Sequence, residues 1–511
     1  MQGDIVDHSS QQRRIGVVLS YILLALNMLV GIIVTPAIVG RLGDREYGLY
    51  QTIASFANNL AILDFGIGTT VVRFLSKYKA SNDNDNQNAV LYSVAKLTCV
   101  LSGIVLALGS VLYFLIPPLY SKTLSGEEIR RAQLVFAILV VNVVLTLFDH
   151  YCVGICTSSE RFQFINTNKI LKVLLRVAFI FSALKLYPNA VFLSGADLLI
   201  TVLFLIIDIL YVIFKLKVKV IRIRASSVLF KEIIAFGSTI FLQAFVNQAN
   251  SNVDKVLLGV LSSAEVVAVY SVAMQIFIIY NSLSSVISSV YLPYVTRRIH
   301  SGADPNEIDE IIIRPGRKQF MITGLVLIGF FSIGKDFIRL WMGENYLDAW
   351  IIAMIIMVPS MIELVENVAI SVTLAKGKNG IRTVIIAGAA VFNILCTILF
   401  IKLFGPMGAP LATALSYLFG YIIGVNVFYK KVIGINVVKV YRNIFRGTWI
   451  CLLLAGAAAI PLKFILTSNY AILLCKALYI CLIFAIAMLI IGFNSEEKKD
   501  ISRLFQRLKR K

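Results

Sequence analysis

The chain has 511 residues, of which 58% are hydrophobic and only 15% are charged. Soluble domains carry about 45–50% apolar and about 25% charged residues, so this composition excludes an ordinary soluble domain. The net charge of +20 would suit nucleic acid, but its distribution along the chain indicates membrane topology instead.

Apolar segments of about 20 residues, each long enough to cross a hydrocarbon core, recur from Ile15 to Phe493. Because lipid offers no partners to backbone N–H and C=O groups, these segments must be helices. The fold prediction is an all-α polytopic membrane protein. About fourteen transmembrane helices are predicted, at residues 15–39, 48–72, 89–116, 132–155, 167–186, 189–214, 230–258, 266–296, 319–334, 349–375, 383–401, 409–429, 447–466 and 470–492.

Lysine and arginine residues are divided unequally between the two sides of this topology. Alternate connections and the two tails hold 34 of them, and the other connections hold 10. The positive-inside rule therefore predicts that both termini are cytoplasmic, and no nucleic-acid partner is expected. All seven cysteines lie within spans, without the spacing of a disulfide framework or a zinc site, and neither a metal nor a cofactor is predicted.

The first two spans form a hairpin from Gly31 to Arg73 around a polar turn at residues 40–47, and a second version occurs halfway along the chain. Three pairs of positions with nearly equal separations carry this repeat: Gly40 and Gly259, Tyr50 and Tyr270, and the starts of Lys185-Leu186-Tyr187 and Lys402-Leu403-Phe404. The unit is six helices, so both copies have the same orientation. Parallel repeats of this kind are a transporter architecture, with the substrate bound between the halves.

The repeat divides the chain into four predicted regions: an N-terminal lobe with spans 1–6 (1–214), a basic cytoplasmic linker (215–229), a C-terminal lobe with spans 7–12 (230–430), and spans 13–14 with a basic cytoplasmic tail (431–511). The linker alternates basic and aliphatic residues. This pattern suits an ordinary positive-inside connection or an amphipathic strip that couples the lobes on the inner leaflet. No loop is long enough to fold as a soluble domain, which usually needs more than about 40 residues.

Three segments resemble a known family. Leu42 to Phe74, LGDREYGLYQTIASFANNLAILDFGIGTTVVRF, resembles the amino-terminal signature of bacterial oligosaccharide flippases, in which a Gly-x3-Tyr-Gly turn precedes a helix that ends in Asp-Phe-Gly-x-Gly and an Arg. Asn252–Ile276 and Lys402–Tyr417 resemble two later segments of these proteins. The chain is thus similar to the polysaccharide transport (Wzx-type) family of the multidrug/oligosaccharidyl-lipid/polysaccharide (MOP) exporter superfamily.

The resemblance implies two MATE-like lobes that alternate access around a central cavity. It implies a transporter of the bacterial inner membrane, not an enzyme, that flips undecaprenyl-diphosphate-linked oligosaccharide units for O-antigen, capsule or exopolysaccharide synthesis. The implied partners are this glycan, membrane lipids, a coupling cation (H⁺ or Na⁺) and the polysaccharide polymerase machinery.

Other functions stay open at this point. A multidrug or peptidoglycan-precursor exporter of the same superfamily shares the architecture, so only its cargo distinguishes it. A membrane polymerase or glycosyltransferase would also be polytopic, but the external connection Lys335 to Asp348 is short for the large loop that such enzymes carry. A purely structural scaffold does not explain the charges within spans or the repeat.

Flipping such a lipid requires cations for the diphosphate and amides or hydroxyls for the sugar. Charges in membrane helices cost about 2.5–3.5 kcal/mol each on insertion scales, so they usually line a cavity or pair with one another. The predicted substrate-binding residues are Arg73, Lys96, Arg176, Asn247, Asn250 and Lys255. The alternatives are salt bridges for the cations within spans, interhelical hydrogen bonds for the amides, and a purely topological role for Arg73.

Carboxylates within spans can take up a proton or a sodium ion, and seven are present: Asp64, Asp149, Asp197, Asp208, Asp254, Glu363 and Glu366. The predicted ion-coupling candidates are Asp64, Asp149, Asp254, Glu363 and Glu366. Glu363 and Glu366 stand at i and i+3 in the middle of a predicted span, where neighbouring carboxyls can share a proton. Asp149-His150 is a second titratable position, in the fourth helix.

Overall fold

The computed structural model describes residues 2–223, 225–302, 304–494 and 497–498. These residues are almost entirely helical and contain no strand. The chain divides into two compact units, residues 1–268 and residues 269–511. The predicted all-α class is therefore confirmed.

The first unit is built from α1 (Gln2–Leu42), α2 (Asp44–Asn58), α3 (Ile67–Ala80), α4 (Asn84–Tyr120), α5 (Gly126–Ser158), α6 (Phe162–Leu186), α7 (Ala190–Leu210) and α8 (Ser227–Leu261). Helix α9 (Ala264–His300) begins in this unit and continues into the next. The second unit contains α10 (Pro305–Met342), α11 (Asp348–Val365), α12 (Asn367–Ala375), α13 (Asn379–Phe404), α14 (Gly408–Ser416), α15 (Asn426–Phe428), α16 (Val437–Phe445), α17 (Thr448–Ala458) and α18 (Tyr470–Ala487).

The number of membrane crossings differs from the prediction. In the described residues, 10 helices are long and apolar enough to cross a membrane, or 11 with the bent pair α16–α17, so the count of fourteen is not confirmed. The predicted eleventh and twelfth spans fall within one candidate, Asn379–Ile433. Helix α6 does not qualify, because every 18-residue window in it contains Lys169, Lys172 and Arg176. Each of the fourteen predicted segments still lies largely in helical structure.

The predicted second span, residues 48–72, is not one continuous helix. Helix α2 ends at Asn58, a 3-10 turn follows over Asn59–Asp64, and Phe65 and Gly66 have left-handed φ values of 54° and 61° before α3 begins. Gly66 is required here, because a Cβ would also lie 2.6 Å from the Ile240 side chain of α8. The Asp-Phe-Gly of the sequence signature is therefore a helix break.

The charged turn between α1 and α2 makes ion pairs and hydrogen bonds to other helices of the first unit. Arg45 bonds to both carboxylate oxygens of Glu128, which also belongs to the capping box of α5, and its Nη1 lies 3.2 Å from Glu265 of α9. Glu46 accepts a hydrogen bond of 3.0 Å from the backbone N–H of Ala190, the first residue of α7. The turn motif thus has a structural role, since its side chains connect three other helices.

Helix α5 is the centre of the first unit and packs against α2, α3, α4 and α7. Its crossing with α3 is close, because a Cβ on Gly154 would lie 2.8 Å from the Gly68 carbonyl oxygen. Only glycine permits two helices to approach in this way without displacement of the backbone. This approach brings the C-terminal part of α5 next to the start of α3.

Residues 215–226 connect α7 to α8. The aliphatic side chains of Leu216, Val218 and Ile223 pack against the core of the first unit, whereas the described lysines and arginines of the segment are exposed. Helix α8 packs against α2 and the Asn59–Asp64 turn. The four predicted regions stay a prediction, because the boundary of a sequence repeat and the boundary of a packing unit need not coincide.

In the second unit, α10 contacts α11, α16, α17 and α18. The two helices outside the predicted repeat are therefore joined to the unit through α10.

Candidate substrate-binding and ion-coupling sites

A polar cavity of about 370 Å³ lies between α2, α5, α6 and α7 of the first unit; we refer to it as the Arg176 cavity. Arg176 Nε and Nη2 bond to the two oxygens of Asp197 at 2.6 and 3.1 Å, and the Tyr50 hydroxyl donates to Asp197 at 3.1 Å. The Arg176 side chain is still 49% exposed. The sequence offered a salt bridge and a cavity role as alternatives, and the structure combines the two features.

Amide groups and a second cation complete the lining of the Arg176 cavity. Asn58 and Asn142 contribute amides, and Lys172 contributes an ammonium one helical turn from Arg176. Among the described residues, Asn142 Oδ1 has no hydrogen-bond partner. A buried carbonyl oxygen without a partner is costly, so this position favours a hydroxyl donor from a ligand or water.

A smaller cavity of about 160 Å³ lies between α5, α6 and α7; we refer to it as the acid cavity. It is lined by Asp149 and Asp208, which are only 9% and 6% exposed. Lys172 Nζ lies 3.5 Å from Asp149, and Asn168 donates to Asp208 at 2.8 Å. Lys172 lines both cavities, so it connects the two sites.

The helix break at Phe65-Gly66 places Asp64 beside the acid cavity. Asp64 Oδ1 lies 3.2 Å from His150 Nδ1, and His150 lines the cavity next to Asp149. Two of the predicted ion-coupling residues are thus brought into one cluster. The sequence does not distinguish Asp208 from the other acids within spans, since an isolated acid on α7 gives no sign of its neighbours on α5 and α6.

The predicted pair Glu363 and Glu366 occupies a different setting from the one expected. Helix α11 ends at Val365, so the pair lies at a helix break and not in the middle of a continuous span. Glu366 accepts a hydrogen bond from the Tyr441 hydroxyl, and Glu363 lies 3.7 Å from Arg382. The two carboxylates therefore have different partners. The sequence periodicity did not reveal this break, because the apolar pattern continues through α12.

The acid clusters of the two units occupy equivalent positions in the sequence. Asp149-His150 and Glu366-Asn367 are separated by 217 residues, and the pairs Asp64 and Ser284 and Asp208 and Asn426 are separated by 220 and 218 residues. The contacts correspond as well, because the His150–Asp64 pair is matched by an Asn367 amide that donates to Ser284 Oγ at 2.7 Å. This correspondence supports the predicted internal repeat.

The ion pair of the Arg176 cavity has a neutral counterpart in the second unit. In the register of the repeat, Asn393 is equivalent to Arg176, and Thr413 is equivalent to Asp197. The Asn393 amide donates to Thr413 Oγ1 at 3.2 Å, and both residues are buried. The same helix contact is therefore charged in one unit and uncharged in the other.

The other predicted site residues lie elsewhere in the first unit. Arg73 is exposed on α3, with its guanidinium 4.2 Å from the ring centroid of Phe236. Lys96 is exposed on α4, Lys255 is half-buried on α8, and Asp254 beside it is buried. None of these four residues lines either cavity of the described chain. The side chains of Asn247 and Asn250 lie outside the described residues, so their predicted role stays a prediction.

The sequence matches the model of a family described as polysaccharide biosynthesis protein over residues 16–299. The chain belongs to this family. It is also 20% identical over 377 residues, 73% of this chain and 87% of the relative, to a Shigella flexneri protein named as a putative O-antigen transporter. The family resemblance inferred from the first hairpin is therefore confirmed.

Two solved structures show the fold. The chain is similar to the lipid II flippase MurJ in an inward closed conformation, with a TM-score of 0.72 and 17% identity over 92% of this chain and 98% of that one. It is also similar to an inward-facing multidrug resistance MATE transporter of the MOP superfamily, with a TM-score of 0.63 and 14% identity over 80% and 96% of the two chains. The predicted MATE-like architecture is confirmed by these likenesses.

Proposed function

We propose that this protein is a flippase that moves undecaprenyl-diphosphate-linked oligosaccharide units across the bacterial inner membrane by alternating access. The product would be O-antigen, capsule or exopolysaccharide. The observation that carries the proposal is the Arg176 cavity, which combines two cations with amide groups inside a membrane-embedded unit. Membership of the polysaccharide biosynthesis family and the likeness to an O-antigen transporter support the same cargo.

The chemistry of the cargo explains the composition of the cavity. The prenyl chain stays in lipid, whereas the diphosphate and the sugars need a polar path through about 30 Å of hydrocarbon. A guanidinium is suited to a phosphate, because it presents parallel N–H donors to two oxygens. Asp197 orients Arg176 and leaves half of its side chain accessible, and the amides of Asn58 and Asn142 supply partners for the sugar hydroxyls.

Lys172 gives a route for coupling to a cation. In the acid cavity its ammonium is held by Asp149, beside the second carboxyl of Asp208. Uptake of H⁺ or Na⁺ at this carboxyl pair weakens the hold on Lys172 and releases it towards the phosphate in the Arg176 cavity. Asp64 and His150 extend the same cluster. Glu363 and Glu366 form the corresponding titratable position of the second unit. Arg73, Lys96 and Lys255 contact the transported lipid outside the two cavities.

The proposal is tested in a strain that lacks the chromosomal gene and carries a plasmid copy of it. The deletion should abolish the surface glycan and trap undecaprenyl-linked units at the inner leaflet, measured by glycan blots and by mass spectrometry of extracted lipids. The variant Arg176→Ala should fail to complement, whereas Lys185→Ala, which removes an exposed cation from the same helix, should complement fully. Normal surface glycan in the deletion strain, without a second gene of the family to explain it, would contradict the assignment.

The alternative exporters of the superfamily are separated by cargo, since they share the fold. A deletion strain that assembles its surface glycan normally but becomes sensitive to cationic drugs would favour a multidrug exporter. A strain that instead accumulates peptidoglycan precursors would favour a precursor flippase.

A further inference from the structure

A basic cavity of about 910 Å³ lies in the second unit, where α10, the α16–α17 junction and the helical turn that follows α18 (Met488–Gly492) meet. Its charged lining consists of Glu310, Arg314, Arg317, Arg446 and Lys498. It shares no lining residue with the Arg176 cavity or the acid cavity. The transport chemistry proposed above therefore does not account for it.

Arg317 lines the basic cavity, and its guanidinium is hydrogen-bonded within the protein. Its Nε and Nη2 bond to Glu497 at 2.9 and 3.0 Å, and its remaining N–H groups donate to the backbone carbonyls of Asn443, Arg446 and Gly492 at 2.8, 2.9 and 2.9 Å. The side chain is buried, with 5% exposure. Arg317 thus fixes three chain segments around the cavity, and its charge is compensated by Glu497.

Gly447 lies at the junction of α16 and α17 and lines the cavity. Its φ is 78°, and a Cβ there would lie 3.1 Å from the carbonyl oxygen of Ile491, so the position requires glycine. Helix α17 begins at the next residue without a side-chain cap. The partial positive charge of its first turn adds to that of the arginines around it.

The remaining charges make the cavity basic. Arg314, Arg446 and Lys498 are exposed along its lining, and Glu310 is the acid that opposes them. Apolar side chains next to the lining residues in the chain are exposed: Trp449, two residues after Gly447, is 50% exposed, and Ile490, directly before Ile491, is 69% exposed. An ion with only a phosphate group would use the cations and leave these apolar side chains unused, whereas a phospholipid uses both.

We infer that the basic cavity binds the headgroup phosphate of an anionic phospholipid, whose acyl chains lie along the exposed apolar surface of α17 and the turn after α18. Basic pockets between membrane helices on the cytoplasmic side bind such headgroups, and the positive-inside pattern places these residues on that side. The lipid is a resident partner of the second unit and not the transported cargo.

The test uses the purified full-length protein in detergent and measures lipid retention by native mass spectrometry. Dioleoylphosphatidylglycerol should bind in preference to dioleoylphosphatidylcholine. The double variant Arg314→Gln/Arg446→Gln should bind the anionic lipid about 25-fold more weakly, since each cation near the surface contributes about fivefold. Lys318→Gln/Arg442→Gln is the matched control, because it removes two exposed cations from α10 and α16 that do not line the cavity, and its binding should be unchanged.

A variant that is expected to bind the lipid more tightly distinguishes a loss of the site from misfolding. Glu310→Gln removes the acid of the lining and should strengthen binding of the anionic lipid. Equal affinity of wild type and both cavity variants for phosphatidylglycerol would overturn the inference. A second measurement compares the melting temperature of the protein with phosphatidylglycerol and with millimolar inorganic phosphate. If both raise the melting temperature equally, the cavity is a small-anion site and the inference is overturned. Lipid retention is measured without transport, so it is independent of the proposed flippase function.

Discussion

The two units contain the same helix contact in a charged form and in a neutral form. In the first unit, Arg176 of α6 and Asp197 of α7 form a bidentate ion pair with bonds of 2.6 and 3.1 Å, and Arg176 is half exposed to a cavity. In the second unit, the Asn393 amide of α13 donates a hydrogen bond of 3.2 Å to Thr413 of α14, and the two residues are only 2% and 4% exposed. The repeat thus preserves the position of the contact but not its charge.

This difference separates what the fold needs from what the site needs. A neutral hydrogen bond is sufficient to join these helices in the second unit, so the polar contact belongs to the fold. A charge within the membrane costs about 2.5–3.5 kcal/mol, and an ion pair contributes little more to stability than a well-packed neutral pair. We therefore propose that the Arg176–Asp197 pair serves a ligand that the neutral pair cannot bind.

The largest expected effect comes from converting the first unit into the neutral form of the second. The double variant Arg176→Asn/Asp197→Thr should keep the helix contact, and its melting temperature should stay within a few degrees of wild type. Transport should fall by at least about 30-fold, because the phosphate loses a charged partner. Surface glycan is measured by complementation and stability by thermal unfolding. Normal transport by this variant would show that the charge has no functional role.

The single variant Arg176→Asn sharpens the same comparison. It removes the cationic partner of Asp197 and leaves only the Tyr50 hydroxyl as a donor to this carboxylate. The unfolding free energy should therefore be about 3 kcal/mol lower than that of the double variant, measured by thermal unfolding. A single variant as stable as the double one would mean that Asp197 finds another partner.

A smaller effect is expected at the acid cluster. Asp208→Asn gives the first unit the amide that the second unit has at Asn426, and it leaves one carboxyl beside Lys172. Transport driven by a cation gradient should fall about tenfold, since coupling between sites typically amounts to about 1–3 kcal/mol. Uptake into vesicles with and without an imposed gradient measures this fall. Loss of gradient dependence in Glu366→Gln but not in Asp208→Asn would place coupling in the second unit.

The close crossing of α3 and α5 can be tested by replacing Gly154 with the residue that stands at the equivalent position of the second unit. Ser371 is the equivalent of Gly154 in the register of the repeat and is buried in α12. Gly154→Ser should lower the unfolding free energy by about 1–3 kcal/mol, because the new Cβ meets the Gly68 carbonyl. Gly103→Ala is the control, since no atom lies within 4 Å of a Cβ there. Equal thermal stability of both variants would mean that the crossing relaxes freely.

The smallest effect is expected at the turn between α1 and α2. Arg45 is 53% exposed, so its bonds to Glu128 and Glu265 are partly screened by solvent. Arg45→Ala should lower the unfolding free energy by about 0.5–1 kcal/mol, and the exposed Arg41→Ala should leave it unchanged. A loss of transport at normal stability would instead assign the turn a direct role in function.

The sequence by itself determined the class of the protein, the helical segments and the family. These properties follow from local patterns, because a lipid solvent requires long apolar helices whatever their neighbours are. A cation in the middle of a predicted span also identified Arg176, since such a charge requires a cavity or a partner. The repeat was detectable from three pairs of positions, because it is a property of spacing along the chain.

The tertiary structure decided which of these residues act together. Asp197 and Arg176 lie on different helices, as do Asp208 and Asp149, so no helical period connects either pair. In the sequence, Lys172 is one of two lysines near the start of the predicted span 167–186. Only the packing of α5, α6 and α7 places it between two cavities. Side chains from distant helices meet only through packing, and packing depends on shape and close approach, which one-dimensional patterns do not contain.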